Sequence, residues 1–108
     1  MPKAIMFVQS SPSAPDREDD YNDWYTNTHL ADVLQIPGIT AARRFKASDT
    51  APPGDGAHQY CAVYEVEADD LGSIMEELGT RFADGRMKMS DAMEMDPPPS
   101  FVIYELLD

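Results

Sequence analysis

The sequence predicts an α+β domain in which a four-stranded antiparallel sheet carries two helices on one face. Short apolar or alternating runs stand at residues 4–9, 39–47, 58–67 and 101–107. Two segments with helical spacing, about 17–35 and 69–83, separate the first run from the second and the third from the fourth. Pro and Gly clusters punctuate the junctions. The resulting order, β-α-β-β-α-β, is that of the split βαβ, ferredoxin-like arrangement. At 108 residues the chain is expected to form one domain over 1–108.

Each element has its own signature. Ala4 to Gln9 is a nearly continuous apolar run, as in a strand covered on both faces. Asp16, Glu18, Asp19 and Asp20 then gather where a helix begins, matching the positive end of its dipole. That helix stops at Pro37-Gly38. At about 100° per residue, Asn22, Thr26, His29 and Val33 share a stripe with Tyr25 beside it, next to an apolar sector of Trp24, Leu30, Ala31 and Leu34. His29 therefore sits at the margin of the buried face. Asp23 falls about 120° from His29 on the same wheel, too far to orient the imidazole.

Ile39 to Ala47 alternates, with Ile39, Ala41, Arg43 and Phe45 on the more apolar face and Arg44 on the other. An arginine on an apolar face needs a partner. In the third strand His58, Tyr60, Ala62, Tyr64 and Val66 share a face; the tyrosines read mainly as dimer core and His58 as an exposed residue near a loop. Asp69-Asp70 caps the second helix, whose Leu71, Ile74, Met75, Leu78 and Phe82 form a core stripe rather than a cofactor box. Residues 86–96, whose four methionines fit alternation and a frayed helix equally well, read as an irregular segment or one short helix and a candidate pocket lid, ended by Pro97-Pro98-Pro99. Phe101 to Leu107 is the last strand. A sheet with both helices on one face leaves the other bare, and its large residues call for cover. Homodimerisation, sheet face to sheet face, supplies it.

Composition excludes several classes of partner. A formal net charge of -12 with only two short basic clusters argues against nucleic acid. No run approaches the ~18 apolar residues of a membrane span, and the first residues lack the apolar length of a signal peptide, so no membrane partner and a cytoplasmic location are expected. The single cysteine, Cys61, reads as a buried inert thiol. Two histidines on different elements fit no common metal site, and no Gly-rich loop follows a strand, so neither a metal nor any other cofactor is expected.

The residues that remain for chemistry cluster in the first helix and the strand after it. An imidazole titrating near neutrality on a pocket rim is a general acid/base; the alternative is a structural His29 bonded to main chain or to a neighbour. Tyr25, one turn earlier, either orients the ring or donates to a carbonyl oxygen, or else packs. Asn22 either polarises a substrate oxygen or serves the helix start. Arg43 either stabilises an anion or pairs with Asp32 or Glu65.

The block Asn22-Asp23-Trp24-Tyr25-x-x-x-His29-Leu30, followed by Ile36-Pro37-Gly38-Ile39 and Arg43-Arg44-Phe45, resembles the small proteins of the dimeric α/β barrel superfamily, most closely its EthD-like branch. About a quarter of the chain carries the match. The resemblance implies a homodimer with a pocket between helices and sheet in each subunit, into which His29 looks. It does not choose a reaction, since the superfamily holds cyclases, dehydratases, isomerases, cofactor-free monooxygenases and members without known activity. The haem-degrading branch fits poorly, because its Asn, Trp and His come from separate elements. The expected function is cofactor-independent acid/base chemistry on a small, partly apolar carbonyl or polyketide-like compound. His29 and Tyr25 are the catalytic candidates, and Asn22, Trp24, Arg43, Arg44 and Tyr60 the substrate-binding ones. The rival expectation is a ligand-binding or accessory protein of the same fold.

Overall fold

Alternation and helical spacing produce the expected elements. In a computed structural model that describes residues 3–54, 57–96 and 98–107, strands β1 (Lys3–Ser10), β2 (Ile39–Lys46), β3 (Tyr60–Glu67) and β4 (Ser100–Glu105) form one antiparallel sheet in the order β2-β3-β1-β4. Helix α1 runs over residues 18–34 as α-helix Glu18–Trp24, a π-helical turn Tyr25–His29 and α-helix Leu30–Leu34. Helix α2 is Leu71–Ala83, capped by the Asp70 carboxylate, which accepts the Gly72 N–H at 2.9 Å. Both helices cover the same sheet face. No helix among the described residues is long and apolar enough to cross a membrane.

The core lies between that face and the helices. Ala4 and Met6 of β1, Tyr60, Ala62, Tyr64 and Val66 of β3, Tyr21, Tyr25 and Val33 of α1, and Ile74 of α2 are buried there. Tyr60 and Tyr64 thus belong to the helix side, not to a dimer core, because their parity on β3 is that of Ala62 and Val66. The stripe of α2 also divides. Ile74 enters the core, whereas Met75, Leu78 and Phe82 wall a cavity.

A bulge in β2 resets the second strand. Ile39 pairs with Val66 and Ala41 already pairs with Glu65, so Thr40 is the extra residue. Beyond it the faces exchange, which sends Arg44 toward the helices and Arg43 to the open face. A period of two read through residues 39–47 cannot register that slip. Arg43 there pairs with Glu65 at 3.4 Å, an exposed pair of little energetic weight.

The open face carries Ile5, Phe7, Val63, Phe45, Val102 and Tyr104, with Phe7 and Tyr104 edge to face at 6.3 Å between ring centroids. Cys61 lies half-buried on this face, and burial pushes its thiol up. A hollow of about 610 Å³ at one end of it, beside Lys3, Glu67 and Leu106, holds none of the candidate residues.

Residues 86–96 form no helix. They cross the helix-covered side and are fastened by Met87, Ala92 and Met93, all buried, and by a bridge from Pro12 to Met93. The turn into β2 depends on Gly38. Its φ is +101°, and a Cβ there would lie 2.9 Å from Ile74 Cδ1 and 3.3 Å from the Glu67 carbonyl oxygen. Gly38→Ala is expected to cost about 2 kcal/mol and to lower Tm by roughly 10 °C in a calorimetric scan; a shift within about 2 °C of zero would show that the turn tolerates a side chain.

Candidate functional site

Helix α1 places the candidate groups, and its π turn decides how. The Leu30 N–H bonds to the Tyr25 carbonyl, an i to i+5 link that widens one turn. On an ideal helix residues five apart diverge by about 140°. Here Trp24 and His29, five apart, stack with ring centroids 4.8 Å apart and planes 25° apart. Tyr25 meets the same imidazole edge to face, also at 4.8 Å. The histidine is thus gripped on two sides by aromatic rings.

His29 and Tyr25 line a cavity of about 500 Å³ bounded by β1, β3, β4, α1, α2, residues 86–96 and the pair Pro98-Pro99. That volume suits a small-molecule site. Five of the chain's seven methionines, Met6, Met75, Met89, Met93 and Met95, contribute to its wall. The polar groups inside are the His29 imidazole and the hydroxyls of Tyr25 and Tyr64, and no charged side chain among the described residues lines it. The two hydroxyls bond to each other at 3.3 Å.

Burial sets the electrostatics. His29 is 8% exposed and its Nδ1 is buried without a hydrogen-bond partner among the described residues. Desolvation pushes its pKa down to about 4, against a smaller opposing pull from Asp32, while Arg44 adds to the fall. The ring is neutral at pH 7, with one lone pair free to take a proton. Burial pushes the Tyr25 phenol up to about 12 and raises that of Tyr64 as well, so both stay protonated. In a pair of hydroxyls one proton is used between them, which leaves the other for a ligand oxygen.

Asn22, Arg44 and Tyr60 do not line the cavity. They build a polar cluster beside it, in which Arg44 donates to Asn22 Oδ1 at 2.9 Å and to Thr26 Oγ1 at 3.1 Å. The Asn22 amide donates to the Tyr60 hydroxyl at 3.3 Å, and that hydroxyl donates to Glu18 at 2.8 Å. This bond, with help from Lys46, holds the Glu18 carboxyl below its ordinary range. The Arg44 guanidinium lies 4.5 Å from the centroid of the Tyr25 ring, with the rings of Tyr21 and Tyr60 at 5.3 and 5.5 Å. It therefore reaches the cavity only through Tyr25. Trp24 backs the imidazole and donates its Nε1–H to the Lys88 carbonyl at 2.8 Å, which pins the lid; Asp32 accepts the Lys88 N–H at 3.1 Å. Arg43 is on the opposite face of the sheet.

Two features escaped the sequence reading. Tyr64 faces Tyr25 inside the cavity, a pairing that its parity with Tyr60 allowed but that no local pattern announced. His58 is half-buried and bonded on both nitrogens. The Pro98 carbonyl, 3.1 Å from Nε2, requires a proton there, so Nδ1 accepts the Ser11 hydroxyl at 2.7 Å. With the Glu94 N–H on the Ser11 carbonyl at 2.8 Å, these bonds tie the far end of the lid to the β1–α1 loop.

The lowered pKa of His29 links the site to stability. Its unfolded form binds a proton below about pH 6.5 and its folded form only below about 4, so folding loses stability as pH falls across that window. His29→Leu removes both the titration and the unpartnered nitrogen. The variant is expected to be at least as stable as the parent at pH 7, and to lose a few kcal/mol less between pH 6.5 and 4 in urea unfolding. Parallel losses in the two proteins would contradict this account.

No protein-family model and no curated protein matches this sequence. Solved structures do match its fold. An EthD (ethyl tert-butyl ether) family protein of Bacillus halodurans C-125 superposes with a TM-score of 0.62 at 19% identity, covering 99% of this chain and 100% of that one. A candidate monooxygenase of Shewanella loihica PV-4 gives 0.61 at 14% identity over 100% and 98% of the two chains. A dimeric ferredoxin-like protein of unknown function from Jannaschia sp. CCS1 gives 0.60 at 12% identity over 96% and 99%. The chain has the ferredoxin-like fold of these proteins.

Proposed function

We propose that the protein is a cofactor-independent enzyme doing acid/base chemistry on a small, partly apolar carbonyl or polyketide-like compound. The observation that carries this reading is the buried, neutral His29, its Nδ1 unpartnered, on the wall of an apolar cavity that also presents the Tyr25–Tyr64 hydroxyl pair. A structural histidine buried this deeply satisfies its nitrogens. A ring that leaves a buried nitrogen unbonded, at a cost of about 1–3 kcal/mol, is not placed by its hydrogen bonds, and its position on the cavity wall fits a catalytic role.

In the proposed step the imidazole lone pair takes a proton from the carbon next to the substrate carbonyl. The electrons of that C–H bond move to the carbonyl oxygen, which receives the free hydroxyl proton of the tyrosine pair as a hydrogen bond. The ring becomes imidazolium, and the enolate beside it raises the ring's proton affinity from its low resting value. Return of the proton at another carbon is isomerisation, and loss of a β-hydroxyl as water is dehydration. Attack of the enolate carbon on a second carbonyl is ring closure, and its reaction with dioxygen, through a peroxide that loses its outer oxygen as water while the substrate carbon is oxidised to a carbonyl, is the monooxygenase outcome. The substrate decides among them. The likeness to an EthD family protein and a candidate monooxygenase is in keeping with an enzyme.

The low proton affinity of His29 favours a second reading, in which the cavity binds a ligand without turnover. Exchange of the α-hydrogens of 2-tetralone with D2O, followed by NMR, separates the two. Catalysed exchange is expected, with kcat/KM falling as pH drops through about 4, where the base becomes protonated. His29→Gln is expected to lower the rate at least ~100-fold with the fold retained. Undiminished exchange in that variant would remove His29 from the mechanism.

The protein is further proposed to work as a homodimer joined through the open sheet face, in keeping with the Jannaschia protein's description as dimeric. Sedimentation equilibrium is expected to give twice the 12.0 kDa chain mass. Val102→Glu, on that face and 47% exposed in the single chain, is expected to give the monomer. A monomeric parent protein would end the proposal.

A further inference from the structure

We infer that the His29 cavity selects uncharged ligands that present a single oxygen to its polar end, and that Met89 and Met95 of the lid set how many ligand shapes it accepts. The inference rests on the ligand pocket of the proposed function, but not on turnover.

The charge selectivity follows from an inventory of the cavity. Its wall among the described residues offers no cation to an anionic ligand and no carboxylate to a cationic one. Arg44, the cation on the far side of the Tyr25 ring, already gives hydrogen bonds to Asn22 and Thr26. The donor left for a ligand oxygen is the one spare proton of the Tyr25–Tyr64 pair, since the neutral His29 ring offers its lone pair. One donor is enough for a neutral carbonyl oxygen. A carboxylate has about four acceptor positions on two oxygens and would enter with most of its hydration unreplaced. The chain's net charge of -12 adds repulsion at the entrance.

Shape tolerance follows from the rest of the wall. Thioether side chains have three rotatable bonds and a polarisable sulfur that packs against ring edges, so they remould around different outlines. Met6 is fixed in the core and Met93 is buried, whereas Met89 and Met95 are 42% and 60% exposed on the lid. These two can change rotamer without disturbing the core, and they hang on a segment held at Lys88, Ala92, Glu94 and Pro98. They are therefore the specificity-determining residues.

Calorimetric titration with 2-acetylnaphthalene and 2-naphthoate, matched in ring size and differing in charge, tests the first part at pH 7. The ketone is expected to bind at least 100-fold tighter. Equal or tighter binding of the naphthoate overturns the inference, and so does failure of both probes to bind. The second part is read from the double variant Met89→Leu/Met95→Leu across neutral ketones with one, two and three rings. Stiffer, branched side chains are expected to spread the affinities by at least 10-fold more than in the parent; an unchanged spread refutes the role of the two methionines. A ketone that binds but exchanges no hydrogens leaves this inference standing while removing the catalytic reading.

Discussion

A single main-chain hydrogen bond, from the Leu30 N–H to the Tyr25 carbonyl, governs the candidate site. By closing a wider ring than an α-turn it rotates everything after it relative to everything before. Trp24 and His29 would diverge without it, and the imidazole would lose the indole that backs it. With it, the helix packs Tyr21 and Tyr25 against the sheet, faces His29 into the cavity, and turns the Trp24 N–H outward to the lid. Local backbone geometry, tertiary packing and the chemistry of the site thus share one cause.

Around this turn the polar groups are divided between two tasks. Asn22, Arg44, Tyr60 and Glu18 spend their hydrogen bonds on one another and lock the start of α1 to β2 and β3. His29, Tyr25 and Tyr64 keep capacity unspent in a dry space. Arg44 connects the two groups without entering the cavity, since its charge acts across the face of Tyr25. Rigidity on one side of the Tyr25 ring is what allows unsatisfied chemistry on the other.

Much of this was legible in the residues. The order of elements followed from hydrophobic period, the Asp70 cap and the Pro37-Gly38 stop, because local rules decide those features. His29 and Tyr25 were legible as a pair through their spacing on a helix. Arg43 pairs with Glu65, one of the partners its pattern offered, but on the open face, because the bulge at Thr40 inserts one residue and a one-residue slip reverses the face of every side chain after it. Tyr60 and Tyr64 pointed to a shared face but not to which one. That choice depends on where the helices pack, a long-range fact absent from any window of sequence. The methionines between 87 and 95 carried no period because the segment is held by isolated bonds to α1 and to the β1–α1 loop rather than by a repeating pattern.

The construction of that segment bears on how such a protein diversifies. The buried core of sheet and helices excludes residues 88–91 and 94–96, while Met89 and Met95 of these stretches supply part of the exposed cavity wall, together with Phe82 and Phe101. Replacement of Met89 or Met95 changes the outline of the cavity without touching a buried core residue. The segment is thus a part of the wall whose side chains can be exchanged while the histidine, its aromatic brace and the fold stay in place.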